Sequence, residues 1–435
     1  MRAAPRKLSG MAGGGRRRAR PPERAVPERV GMAAAGSKGA AGAVRNTRPR
    51  NRRTQIVAAA SELFHARGYP RVGMSDIAEA VGVGPSALYR HFASKQRLLT
   101  EVVLEELRPF GEILGRVGTD DLDALVAELA TAALDHRRLG VLWQREARHL
   151  PAAEREKLKG ELRAVAGGLA DLARVRRPGL AEEDARFRGW CLFSALTSPS
   201  YHQVELPRAE FEGLLRNMVA VVTDQQPMAL ASRRTAEPAT SPLLARRASR
   251  RAVLLSAATR LFADNGFTAV TTDDIGAAAG IAGPSVYSHF ASKQELLGAV
   301  IARGCAWLEI ELERTLTATG DAEEALRELL HSYITFAYDH GRFIDILVTE
   351  VGHLPDAERH RARQTQHDYV AEWVALLCRV RPDLDRVPAR VLVQAALTAA
   401  NDMARTGTVR DPDAVARVGS ALMFRTDAYR AFTYG

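Results

Sequence analysis

The sequence predicts an all-α protein built from two tandem copies of one helical unit, and three observations predict it. Residues 89–99 read YRHFASKQRLL and residues 287–297 read YSHFASKQELL, and the match extends without a gap from 52–103 to 250–301, with 22 of 52 positions identical. Apolar residues return at helical rather than alternating spacing through both copies. The chain is 46% hydrophobic but only 6% aromatic, and its few β-branched runs suit helices packed with Ala and Leu better than a sandwich or barrel.

Residues 1–50 hold MAGGGRRRARPPER and AAAGSKGAAGAV, lack a periodic apolar pattern, and are expected to be a disordered Arg-rich tail. Met11 and Met32 are alternative starts, so the tail is either a further DNA-binding arm or untranslated. Residues 51–108 form the first reading domain. Ile56, Ala59, Ala60, Leu63 and Phe64 make an i, i+3, i+4, i+7, i+8 stripe that Gly68 ends. A short second helix is expected from about Ser75 to Val81, closed by Gly82. A third runs from Pro85, whose missing N–H costs nothing at a helix start, to Phe92. Ser94 caps a fourth from Lys95 to about Arg108. In the second reading domain, 246–303, Thr271 and Asp274 make a fuller capping box than Gly73 and Asp76 do in the first. The backs, 109–224 and 304–435, read as helical throughout, and EARHLPAAER at 146–155 returns as EVGHLPDAER at 350–359. Between the units, 225–245 is rich in Pro, Ala, Ser and Thr and reads as a linker.

The formal net charge is +10, yet residues 1–53 carry 15 Arg or Lys against 2 Asp or Glu, which leaves −3 for residues 54–435. The folded body is therefore not basic overall. Positive charge stands just before each copy instead, at Arg48, Arg50, Arg52 and Arg53 and at Arg246, Arg247, Arg250 and Arg251, where phosphates would be met. No apolar run reaches the roughly 18 residues of a membrane span, so a cytoplasmic protein without a membrane partner is expected. Cys191, Cys305 and Cys378 form no CxxC pair and are expected reduced.

Two short helices joined by a glycine turn make a helix-turn-helix. Leu88 and Phe92 hold the third helix to the core and leave Ser86, Ala87, Tyr89, Arg90 and His91 near the major groove. Tyr89, His91, Ser94 and Lys95 are expected on phosphate. Arg90 and Ser86 are candidates for base edges, an arginine being able to pair bidentately with guanine.

The stretches RRTQIVAAASELFHARGY…DIAEAVGVGPSALYRHFASKQRLL and RRAVLLSAATRLFADNGF…DIGAAAGIAGPSVYSHFASKQELL resemble the N-terminal domain of TetR-type transcriptional regulators. The tandem build resembles the double-TetR repressors of mammalian-cell-entry and lipid-catabolism genes in mycobacteria and their relatives. The resemblance implies a repressor of double-stranded operator DNA, released by a small effector of lipid- or acyl-CoA-derived chemistry. It implies DNA contacts at Arg50, Arg52, Ser75, Ser86, Ala87, Tyr89, Arg90, His91, Ser94 and Lys95. In the second copy it implies Arg247, Arg250, Thr271, Pro284, Ser285, Tyr287, Ser288, His289, Ser292 and Lys293. Gly73 departs from the family's usual Thr or Ser, and Ala282 from its usual Ser. Arg90 corresponds to Ser288 and Ala87 to Ser285, so the two readers are expected to prefer different bases.

The last helices of the two backs, about 182–224 and 387–425, are expected to pair as an internal pseudo-dimer, with further homodimerisation open. Trp143, His149, Phe193, Trp307, Tyr333, Phe336, Tyr369 and Trp373 are candidates for an effector pocket, although aromatics at this spacing are more often plain core. No cofactor or metal is expected. Glu146 and His149, repeated as Glu350 and His353, have an i, i+3 metal spacing, but one pair gives two ligands and a helix-capping role explains it as well. An enzyme is not expected, since no Ser/His/Asp order, phosphate loop or HExxH is present. An architectural DNA binder or activator without ligand control is the alternative.

Overall fold

Each repeat opens with three short helices set on a long one, and the sequence explains every boundary. In the first, α1 (Arg52–Arg67) buries Ile56, Val57, Ala60 and Phe64, and α2 (Met74–Ala80) buries Met74, Ile77 and Ala78. Then α3 (Pro85–Tyr89) begins at a proline, and α4 (Lys95–Leu114) is capped by the Ser94 hydroxyl, which accepts from Arg97 N. The back continues as α5 (Leu122–Asp135), α6 (Ala152–Arg176), α7 (Glu182–Thr197) and α8 (Arg208–Thr223). The second repeat runs α9 (Arg250–Asn265), α10 (Thr272–Ala278), α11 (Gly283–Val286), α12 (Lys293–Ala318), α13 (Ala322–Thr349), α14 (Asp356–Val380), α15 (Arg386–Thr406) and α16 (Pro412–Phe424). This computed structural model describes residues 52–118, 121–230, 249–406 and 411–425, and among them there is no strand. Arg50, Arg246, Arg247, the tail and most of the linker lie outside the described residues.

Between α5 and α6 the chain is irregular. Leu142–Glu146 forms one π turn and Ala147–His149 one tight turn, a departure that often marks function. In the second repeat the tight turn recurs at Val351–His353, while the counterpart of the π turn is absorbed into α13, which is broken at His340 (φ −129°, ψ 28°). Its counterpart His136 ends α5 with φ −110° and ψ 37°. The two repeats thus keep the same break and the same tight turn, and differ in the π turn between them.

The two backs meet through α7 and α8 on one side and α15 and α16 on the other, with α7 against α15 and α8 against α16. Composition makes this contact. On α15, Val391, Leu392, Val393, Ala395, Ala396, Ala399 and Ala400 are all buried, an apolar surface wide enough to need partners on more than one face, while Arg390, Gln394, Thr398, Asn401 and Arg405 form a polar stripe on the cavity side. Within the first back, Gly189 lets α7 lie close on α6, because a Cβ there would lie 2.2 Å from Ala166 O. One buried ion pair stands at this end of the first repeat. Arg188 donates to Asp184 Oδ1 at 2.8 Å and to the carbonyls of Val222, Thr223, Gln225 and Gln226, holding down the last turn of α8.

Candidate nucleic-acid interface

The reading heads are shaped by turns that only glycine takes without strain. Gly82 (φ +66°) and Gly280 (φ +70°) leave the second helix of each copy, and Val83 N and Ile281 N then donate back to Ala78 O and Gly276 O, each at 2.9 Å. Leu88 and Phe92 in one head, and Val286 and Phe290 in the other, are at most 2% exposed. That fixes the opposite face outward: Ser75, Ser86, Tyr89, Arg90 and His91 are exposed, as are Thr271, Pro284, Ser285, Tyr287 and Ser288. The two tyrosines are 53% and 55% exposed, among the most exposed large side chains with apolar rings in the described residues.

Several expectations need correction. The third helix was expected to reach Phe92 but ends at Tyr89, because Ser94 is extended (φ −154°) to cap the next helix and the chain must turn before it. Ala87 is half-buried rather than open, and so is His289. The Ser288 hydroxyl donates to Ser285 O at 2.7 Å within its own helix. Arg52 donates to Val81 O at 3.1 Å. Arg53 and Arg251 lie over the Phe92 and Phe290 rings at 5.0 and 4.0 Å. Arg250 is exposed at the first turn of α9.

The lysines expected on phosphate point inward. Lys95 Nζ sits 3.9 Å from the centre of the Tyr69 ring and donates to Tyr69 O. Lys293 Nζ sits 4.3 Å from the Phe267 ring and donates to Phe267 O and Val270 O at 2.8 and 2.7 Å. Burial lowers the pKa of both. Of the phosphate site, the helix start remains, with its backbone N–H groups and the capping Ser94 and Ser292.

These lysines belong to an anchor that also uses the repeated Glu-x-x-His. Glu146 is buried and accepts from Tyr69 N at 2.7 Å, while His149 stacks on the Tyr69 ring at 5.3 Å. Arg145 pairs with Glu146 and donates to His65 O at the end of α1. The second copy repeats the arrangement: Glu350 accepts from Phe267 N at 3.1 Å and His353 stacks on Phe267 at 5.0 Å. The motif therefore clamps each reading head to its own back, and His149 is not a pocket residue. Burial, followed by the Arg148 charge, pushes the His149 imidazole down to about 4.

The candidate effector residues separate as well. A cavity of about 320 Å³ opens among α12, α13, α14 and α15, with Tyr333, Phe336 and Tyr369 on its wall beside Phe343, Leu347 and Leu397. Trp307 and Trp373 stand behind that wall, Trp307 stacked on Phe336 at 4.2 Å and Trp373 edge-on to Tyr333 at 6.2 Å. Trp143 packs against the core, and Phe193 is buried with its ring edge-on to Trp190. Sequence reasoning missed the polar side of the cavity. Tyr333 donates to Asn401 Oδ1 at 2.9 Å, and Asp402 accepts from Arg405 and from Gln144 of the first repeat, both at 2.8 Å. Tyr201, also of the first repeat, lines the same cavity, and so do Arg363, His367 and Arg390.

Two exposed helix-turn-helix heads on backs that are helical throughout the described residues define a DNA-binding regulator of transcription. Comparison with known proteins agrees. The profile of the tetR family of bacterial regulatory proteins matches residues 56–102 and again 254–300, and that of the tetracyclin repressor-like C-terminal domain matches 319–406. The transcriptional repressor KstR2 of Mycolicibacterium smegmatis is 32% identical over 146 residues, 32% of this chain and 71% of that protein. The transcriptional activator FasR of the same organism is 37% identical over 90 residues, 21% of this chain and 41% of that one. The solved structure of the ketosteroid transcriptional regulator KstR2 of Mycobacterium tuberculosis is 27% identical, with a TM-score of 0.31 over 34% of this chain and 78% of its own. The chain belongs to the tetR family, with two of the family's DNA-binding domains in tandem.

Proposed function

We propose that the chain is a one-component repressor that engages both halves of one operator with its own two heads, 51–108 and 246–303. The backs, 109–224 and 304–435, act as an internal pseudo-dimer. The observation that carries this reading is the packing of α7 and α8 on α15 and α16, which supplies within one chain the pairing that a two-fold operator requires. Arg90 on one reading helix and Ser288 at the equivalent place on the other give the halves different base preferences. On the same reading Tyr89, His91, Tyr287 and the capped starts at Ser94 and Ser292 meet phosphate.

The effector occupies the cavity of the second repeat. Its aromatic and aliphatic wall suits an apolar body, and Arg363 and Arg390 suit an anionic group, a combination that lipid-derived acids and acyl thioesters share. Ligand favours an arrangement that binds DNA less well, by the same factor with which DNA weakens ligand binding. The test is to titrate the protein onto the DNA upstream of its own gene and then add acyl-CoA thioesters or sterol-derived acids. Release supports effector-gated repression, whereas binding unchanged by all of them favours an architectural binder or activator without ligand control.

A further inference from the structure

The two head anchors touch each other through two arginines, Arg148 and Arg71. Arg148, beside the His149 that stacks on Tyr69, crosses to the other repeat, pairs with Glu350 Oε1 and donates to Thr349 Oγ1 at 3.1 Å. Its guanidinium also lies against Gly266, where a Cβ would come within 3.5 Å of the arginine Cζ. Glu350 is 0% exposed and is the same carboxylate that holds Phe267 N. In return Arg71 of the first head donates to Gly352 O at 3.0 Å. The counterpart of Arg148 in the second repeat is Gly352, so this tie is made once per chain. Pairing two first repeats would double the arginine, and pairing two second repeats would lose it.

The tie also adjoins the cavity. Gln144, one turn before Arg148 and inside the π turn, lines it, and so do Leu347 and Val348, just ahead of Glu350. Both strands of the tie are therefore continuous with cavity wall.

We propose that Arg148 is the positioning residue that couples the two heads: it fixes their separation and passes a displacement of the cavity wall to both anchors together. An unlinked pair of heads would each bind DNA but would not hold a spacing. A charge-assisted bond from the half-buried Arg148 Nη1 to a carboxylate with no exposure is suited to this, because such bonds are shorter and stronger than neutral ones.

The test uses the full chain with spin labels at Ala93→Cys and Ala291→Cys, both exposed, and Cys378→Ser to remove the least buried native thiol. Without DNA, the inter-head distance distribution should be narrow in this parent and at least twice as wide in Arg148→Met. Arg148→Lys keeps the charge near Glu350 on a shorter side chain that cannot reach Glu350 and Thr349 in the same way and should fall between them, and it carries the test alone if the methionine variant does not fold. Parent-like width in both variants, or in the lysine variant where the other is unfolded, overturns the proposal. A second measurement rests on the operator reading and uses a duplex that the full chain selects from a random pool. Arg148→Met should lose about tenfold in affinity for that duplex, within the usual range for coupled sites. It should also tolerate an added half turn between the half-sites better than the parent does. Failure to select any duplex would refute the operator reading and leave the distance test standing, whereas an undiminished affinity with parent-like spacing dependence would refute the coupling alone.

Discussion

Replacing Lys293 by Met separates an internal role from a DNA contact. The ammonium donates two hydrogen bonds, at 2.8 and 2.7 Å, to Phe267 O and Val270 O and lies 4.3 Å from the Phe267 ring. Bonds from a charged donor contribute about 1.5–3 kcal/mol each, and a partly exposed cation over a ring about 0.5–1 kcal/mol. Lys293 is only half-buried, so water replaces part of this, and the expected loss of stability is about 2–4 kcal/mol. The DNA term moves differently: each phosphate neutralised contributes about 0.9 to the slope of log affinity against log salt. Lys293→Met should therefore lower the melting midpoint of the second repeat yet leave that slope unchanged between about 50 and 200 mM salt. Arg250→Met, at an exposed first turn, should flatten the slope by about 1. Fluorescence anisotropy on a labelled duplex reads the slopes and calorimetry the melting. A flattening of about 1 for Lys293→Met with unchanged melting would refute the internal role.

Three further outcomes come from packing and protonation. Asp184→Asn leaves the Arg188 guanidinium buried beside a neutral partner and should cost about 3–5 kcal/mol, seen as a fall in the first repeat's melting temperature; a change under about 1 kcal/mol would contradict it. Thr271→Ala removes a hydroxyl that accepts from Asp274 N and should cost about 1 kcal/mol, whereas Gly73→Ser should gain a few tenths in the first head, both by denaturant midpoint. Burial pushes His149 and His202 down to about 4 and about 3, so each favours its neutral form in the fold. Their contribution is complete above the unfolded value near 6.5 and is lost as pH falls from there through the folded values. Stability should rise with pH between about 4 and 6.5, and His202→Asn should shallow that rise; an equal slope in the variant would refute it.

Much of the fold was legible because it is local. Helix stripes, the Ser94 and Ser292 caps, the Thr271–Asp274 box and the Gly82 turn depend on residues within a few positions of one another, and the duplication displays each device twice. The site was less legible where side-chain direction decides. Lys95 and Lys293 start their helices in a position suited to phosphate, yet an aromatic ring and open carbonyls some two dozen residues earlier draw their ammonium groups inward. Glu146 and His149 share a face, which spacing shows, but their partner Tyr69 lies in the other domain and no periodicity points to it. Tyr333, Phe336 and Tyr369 line the cavity while Trp373, of the same type and spacing, stands one layer behind. Arg148 carried no signal in its own repeat, since its meaning comes from Glu350 across the molecule.

Whether both heads of one chain read one operator is tested most directly by hydroxyl-radical footprinting of the parent, Tyr89→Ala and Tyr287→Ala on the same duplex. Each substitution should remove protection from a different half of one site and leave the other half covered. Protection that either substitution leaves intact, or that both remove from the same half, would contradict the two-headed reading.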